Sequence, residues 1–255
     1  MNATVGKDSR DATSRPFPTG DLTALIGKDI RGMRIGIVRE AIGEGLSEGV
    51  LEAMQVATDT LRSLGAKITE ISLPHLYAAY AVYYTFSSAE AASNLSRFDG
   101  VRYGYRAEPC SSIEELYEKS RSAGFGEEVK RRILFGNFAL SGENREKIYG
   151  RAVAMRKQII AELSAVLSRC DLLLLPTAST HAYRAGVKKN ALYCKDDLLC
   201  TLAALAGLPA LSLPYHRDGK LPVGIQLMGK AFSEDRLFSV AHLLESALDR
   251  RGVRE

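Results

Sequence analysis

Met33-Arg-Ile-Gly-Ile-Val38 alternates β-branched residues with small or polar ones, as a half-buried strand does. Ten residues on, Glu48 to Leu64 carries Val50, Leu51, Met54, Ala57, Leu61 and Leu64 at helical spacing, and Gly65 stops the helix. Lys67-Ile-Thr-Glu-Ile-Ser-Leu73 then alternates as a second strand. Strand, helix and strand in this order form a β-α-β unit, whose two strands are expected to pair in parallel through a right-handed crossover. Residues 33 to 73 therefore set the class as α/β.

Upstream of that unit, residues 1 to 30 are polar and turn-rich, with Ser14, Pro16, Pro18 and Gly20 near a short amphipathic stretch from Leu22 to Ile26, and they read as an irregular entry segment. Downstream, Ala78 to Leu95 is Ala-rich and aromatic without a breaker, a helix with Tyr80, Tyr83, Tyr84 and Glu90 on overlapping faces. Further helices are expected over Ile113–Ala123, Gly126–Leu140 and Glu143–Leu167, the last from Ile148, Val153, Ile159, Ile160, Leu163 and Val166. Cys170 to Pro176 is a buried-strand candidate. After a polar loop come a helix over Lys195–Ala206, strands at Ala210–Leu213 and Val223–Met228, and an amphipathic helix from Glu234 to Leu248. A chain of 255 residues, 46% of them hydrophobic, can bury one substantial core, so one large domain or two small ones are expected.

Composition narrows the function by exclusion. The longest apolar runs, such as Asp171-Leu-Leu-Leu-Leu-Pro176, are far shorter than the roughly 20 residues a membrane-spanning helix needs. Residues 1 to 10 contain no apolar core and no small-residue cleavage site, so the cytoplasm is the default location. The net charge of +4 arises from 34 basic and 30 acidic residues interleaved along the chain, without the basic stripe of a nucleic-acid binder. Cys110, Cys170, Cys194 and Cys200 show no C-x-x-C pair and no histidine at metal spacing, and read as reduced structural thiols, with no metal site.

Self-contained catalytic signatures are missing. There is no G-x-S-x-G elbow, no Walker A sequence and no H-E-x-x-H pair. Gly43-Glu-Gly45-Leu-Ser-Glu-Gly49 opens a helix after a strand, but its spacing is not that of a dinucleotide site, and turn-forming glycines explain it. His75, His181, His216 and His242 are far apart and none has a carboxylate at a ligand-like offset. Ser87-Ser88 and Ser111-Ser112 lack the glycine-rich surround that lets backbone N–H groups approach an oxyanion. Ser111-Ser112-Ile-Glu-Glu115 suits a helix N-cap instead.

Several blocks, in order, cover nearly the whole chain and resemble the amidase-signature family, in particular its branch of glutaminases from tRNA-dependent amidotransferases. They are Lys7-Asp-Ser-Arg-Asp-Ala-Thr-Ser14, Glu90-Ala-Ala-Ser-Asn-Leu-Ser-Arg-Phe-Asp-Gly-Val-Arg-Tyr-Gly-Tyr105, Ser122-Ala-Gly-Phe-Gly-Glu-Glu-Val-Lys-Arg-Arg-Ile133, Pro176-Thr-Ala178, Leu205-Ala-Gly-Leu-Pro-Ala210 and Leu221-Pro-Val-Gly-Ile-Gln-Leu-Met-Gly-Lys230. The resemblance implies that residues 1 to 255 are the C-terminal portion of a single amidase-signature domain, half of an α/β/α-layered fold with a mixed sheet. The family's Ser-cis-Ser-Lys triad lies in its N-terminal half, and the 255 residues contain no counterpart, so catalysis by this chain alone is not expected. A partner N-terminal half is implied, and a piece of such a fold is expected to expose strand edges and to self-associate.

The same resemblance assigns binding residues. Arg132, in Lys130-Arg-Arg-Ile133, matches the arginine that holds the glutamine α-carboxylate, and a planar guanidinium can give that group two parallel hydrogen bonds. Asp197, in Asp196-Asp-Leu-Leu199, matches the acid that pairs with the α-ammonium, with Asp196 adjacent as the competing choice. Tyr83 matches a tyrosine beside the substrate. Without the resemblance, these would read as a solvated charge, a helix-start carboxylate and a core aromatic. No cofactor is implied for this chain; ATP and magnesium belong to the partner subunit. The implied partners are amidotransferase subunits B and C and, only indirectly, tRNA. Three departures stand out: Leu202-Ala-Ala204 replaces the usual Pro-Val-Asn, Ser179 replaces the second proline of Pro-Thr-Ala-Pro-Thr, and Glu143-Asn-Arg-Glu146 replaces the tyrosine-rich stretch after Ser141. They leave room for an amidase acting on another small amide. A non-catalytic assembly protein is the other reading.

Overall fold

A computed structural model describes residues 1–17, 20–182, 195–216 and 221–249. In order, the elements are β1 (Arg34–Val38), α1 (Glu48–Ser63), β2 (Lys67–Ile71), α2 (Ala79–Leu95), α3 (Ile113–Gly124), α4 (Glu127–Leu140), α5 (Arg151–Arg169), β3 (Leu172–Pro176), α6 (Lys195–Ala206), β4 (Ala210–Tyr215), β5 (Val223–Gly229) and α7 (Glu234–Asp249). Residues 1–17 and 20–33 hold neither helix nor strand. The chain forms two compact units, Met1–Tyr77 with Ile159–Glu255, and Ala78–Gln158.

The first unit is built on a five-stranded mixed sheet in the order β2-β1-β3-β5-β4. β1 pairs in parallel with β2, as the β-α-β reading expects, and also in parallel with β3, whereas β5 runs antiparallel to both β3 and β4. Leu172, Leu173, Leu174 and Leu175 of the central β3 have no exposed surface, because a continuous apolar run suits a strand covered on both faces. Ile35, Leu172, Leu174, Ile225 and Leu227 point to one face and pack with Val50, Met54, Ala57 and Leu61 of α1 and with Leu237, Val240 and Leu244 of α7. On the other face, Gln226 donates to the Leu199 carbonyl 3.2 Å away, which places α6 there. The result is a layered α/β/α arrangement.

Local chemistry fixes the ends of these elements. Gly65 ends α1 at φ +88°, and a Cβ there would lie 2.5 Å from the Arg31 side chain, so the turn requires glycine. Asp171, just before β3, accepts from the Arg34 backbone N–H (2.9 Å) and, through both oxygens, from the Arg34 guanidinium (3.2 and 3.1 Å). Its own N–H donates to the Arg34 carbonyl at 2.7 Å, and Arg236 of α7 stands 3.7 Å away, so one carboxylate ties three elements. The hydrogen bond from Arg34 is the largest influence on Asp171 and holds its pKa below the ordinary carboxylate value despite burial. β4 runs on past the expected Leu213 to Tyr215; Pro214 lacks an N–H, which an edge strand tolerates.

The second unit centres on α2 and α4. A Cβ on Gly136 would sit 2.0 Å from the Ser88 carbonyl oxygen and 2.8 Å from the Ala92 Cβ, so the missing side chain lets the α4 backbone lie against α2. α3 starts with the expected cap: Ser112 Oγ accepts from the Glu115 N–H at 3.2 Å, and the Glu115 carboxylate accepts from the Ser111 N–H at 2.6 Å. Pairing with Lys119, and then with Ser111, holds the Glu115 carboxyl at about 2. Where one helix was expected from Glu143, residues Arg145–Gly150 wind as a wider π turn before α5. Apolar spacing around Ile148 fits both windings, so the sequence pattern does not separate them.

Candidate functional site: a stacked arginine on α4

Helical spacing builds the arginine's surroundings. On α2, Tyr80, Tyr84 and Ser87 follow one another at intervals of four and three, and Tyr83 stands four before Ser87; on α4, Glu128 is four before Arg132 and Phe135 three after it. With Gly136 bringing the helices together, the Arg132 guanidinium carbon lies 5.1 Å from the centre of the Tyr84 ring. Tyr84 is braced by Phe135, ring centres 5.4 Å apart, and by Tyr80 at 6.1 Å.

The guanidinium is held by named partners. Nε donates to Glu128 Oε1 at 3.1 Å, and Nη1 donates to Ser87 Oγ at 3.0 Å. The second Glu128 oxygen is taken by Arg131. Partial burial works against the charged form of Arg132, but hydrogen bonds to Glu128 and Tyr83 outweigh it, and the pKa lies above the ordinary arginine value. With 29% of its side chain exposed, Arg132 is a permanent cation that is partly open and already oriented. Such a group suits a carboxylate better than a flexible lysine does.

The structure thus brings Arg132 and half-buried Tyr83 together on adjacent helices of one unit. Asp197 belongs to the other unit, exposed in the first turn of α6, where the helix dipole favours a carboxylate. The side chain of Asp196 lies outside the described residues, as do Cys194 and most of the polar loop before α6. Ser87, Tyr84 and Glu128 were not singled out as site residues from sequence, although Glu128 and Arg132 stand at ion-pair spacing. Ser88, the neighbour of Ser87, is fully buried, and its hydroxyl has no hydrogen-bond partner among the described residues.

Other chemistry-bearing residues are structural. His75 pairs through Nδ1 with Glu162 of α5, a contact made across 87 positions and invisible to local spacing. Among the described residues, Cys110, Cys170 and Cys200 form no disulfide; Cys170 is buried, whereas Cys200 is exposed rather than a core residue and donates to the Thr177 carbonyl. Among the described residues, no cluster of His, Cys, Asp or Glu is placed to hold a metal, and no helix is long and apolar enough to cross a membrane. A groove of about 880 Å³ along α1, lined by Ile37, Ile42, Leu51 and Glu52 among others, contains none of the candidate residues.

Residues 1–238 match the amidase family profile, and the chain belongs to that family. It is 42% identical over 258 aligned positions to the A subunit of the glutamyl-tRNA(Gln) amidotransferase of Staphylococcus aureus (strain MRSA252), an alignment that takes in all of this chain and 53% of the relative. The crystal structure of the A subunit of glutamyl-tRNA(Gln) amidotransferase from Thermotoga maritima superposes with a TM-score of 0.72 at 33% identity, covering 94% of this chain and 48% of that one. The peptide amidase of Stenotrophomonas maltophilia matches with a TM-score of 0.66 at 25% identity, over 96% and 49%. A bacterial aryl acylamidase of the amidase-signature family, 19% identical with a TM-score of 0.69, shares the fold. The chain spans about half the length of the curated relatives it matches. The expected family and the expected mixed-sheet α/β class are both met.

Proposed function

We propose that this chain supplies the amino-acid-binding half of the glutaminase in a tRNA-dependent amidotransferase. The observation that carries the reading is the Arg132 guanidinium, stacked on Tyr84, hydrogen-bonded by Ser87 and Glu128, and partly open. The likeness to the corresponding amidotransferase chains of two bacteria supports the same reading. In it, Arg132 holds the glutamine α-carboxylate, Asp197 pairs with the α-ammonium and Tyr83 walls the substrate. Water cleaves the side-chain amide, giving glutamate and ammonia, with the nucleophile and base supplied by the N-terminal half. The ammonia passes to a partner protein, which amidates Glu-tRNA(Gln) or Asp-tRNA(Asn) after activation with ATP and magnesium. The chain holds no cofactor of its own and works with subunits B and C.

Glutamine hydrolysis by the complete enzyme containing this chain tests the assignment. Arg132→Ala removes a charge-assisted contact to the substrate, and KM for glutamine should rise at least about tenfold, equivalent to ~1.4 kcal/mol. An unchanged KM would sink the glutamine reading. A second reading, hydrolysis of another small amide, draws on Ala204: the family's usual asparagine is missing at a position that is exposed here, so no packing demand accounts for the change. Turnover of a panel of primary amides at rates above that of glutamine would favour it.

A further inference from the structure

The Ser87 hydroxyl sits between two helices with its hydrogen-bonding roles divided. It donates to the Tyr84 carbonyl of its own helix at 3.3 Å and accepts from Arg132 Nη1 at 3.0 Å. Because its proton is committed to the carbonyl, the oxygen turns a lone pair toward the guanidinium and gives no donor to a substrate carboxylate. Glu128 occupies Nε and is itself steadied by Arg131, while the Tyr84 ring supports the guanidinium plane. Glu128 takes Nε, Ser87 takes one Nη1 hydrogen and Tyr83 takes one more, so two of the five N–H groups remain for a ligand. A guanidinium free to rotate would have to surrender that motion on binding, and one already held does not.

We propose that Ser87 is a positioning residue: it fixes the Arg132 guanidinium so that its terminal nitrogens are presented to the substrate carboxylate. The proposal rests on the reading of Arg132 as the carboxylate-binding group. Ser87 touches no reacting atom in this scheme and acts only through Arg132.

The test is steady-state glutamine hydrolysis by the complete enzyme containing this chain, with Ser87→Ala, Ser87→Thr, Arg132→Ala and the Ser87→Ala/Arg132→Ala double variant, each also followed by thermal denaturation. Ser87→Ala should raise KM roughly fivefold, the size of one lost hydrogen bond, with kcat within about twofold of the parent. Ser87→Thr keeps the hydroxyl and should restore KM, and the melting temperature should not move. Adding Ser87→Ala to Arg132→Ala should change nothing further, since the residue it positions is already gone. A raised KM for Arg132→Ala with a normal one for Ser87→Ala overturns the proposal and leaves the glutamine reading standing. Additive effects in the double variant also overturn it, because Ser87 would then act by another route. A normal KM for Arg132→Ala removes both.

Discussion

The contact between Gly136 and Ser88 decides how closely α2 and α4 approach, and therefore whether Arg132 reaches Ser87 and Tyr84. A methyl group at Gly136 meets backbone at 2.0 Å, which no rotamer change relieves. Gly136→Ala should cost about 3 kcal/mol of stability by forced overpacking, read by chemical denaturation. At the same contact, the Ser88 hydroxyl is buried without a partner among the described residues. Ser88→Ala removes an unsatisfied group and should leave stability unchanged or raise it by up to about 1 kcal/mol; a loss of similar size would show that the hydroxyl is satisfied after all. Neither residue announces its role in sequence. Arg132, Asp197 and Tyr83 became visible only through family resemblance, and Ser87, set aside as a nucleophile for want of a glycine-rich surround, showed no other role because its partner lies 45 positions away.

Among the elements, one side chain just before β3 ties that strand to its neighbours. Asp171 joins β3 to the start of β1 and approaches α7. Its pKa is lowered in the folded protein, so its contribution is full above the unfolded value near 3.8 and is lost as pH falls through the folded value. Asp171→Asn should therefore destabilise the protein by about 2 kcal/mol at pH 7, with the difference from the parent shrinking below pH ~4. Equal sensitivity at pH 7 and pH 3, measured by denaturant titration, would show that the charge is irrelevant. The elements themselves were largely legible: the β-α-β unit, the leucine strand and α6 were read from periodicity within a few residues of their observed bounds. The π turn at Arg145–Gly150 and the continuation of β4 through Pro214 were not, because winding and edge position depend on neighbours rather than on pattern.

For the molecule as a whole, the sheet's outer strands set the expected behaviour. Among the described residues, β4 pairs only with β5 and lies at the edge of the sheet. Leu134 and Phe138 of α4, four residues apart, are 71% and 53% exposed, and Phe232 is 70% exposed. The 255-residue chain by itself should self-associate at micromolar concentration, and its weight-average mass in sedimentation should climb with concentration. A concentration-independent monomer would contradict this. The division into two units has no counterpart in composition: neither crossing, Tyr77-Ala78 nor Gln158-Ile159, has a glycine or proline within it, and the second lies inside α5.

By itself, the sequence determined the α/β class, the order of the elements and the amidase family, because strand alternation, helical spacing and motif blocks are written in short windows of neighbouring residues. Only the tertiary structure decided what Arg132 faces. Its ring platform and its Ser87 partner come from another helix, brought close by one glycine, and contacts of that kind depend on how two helices lie together rather than on anything local to either.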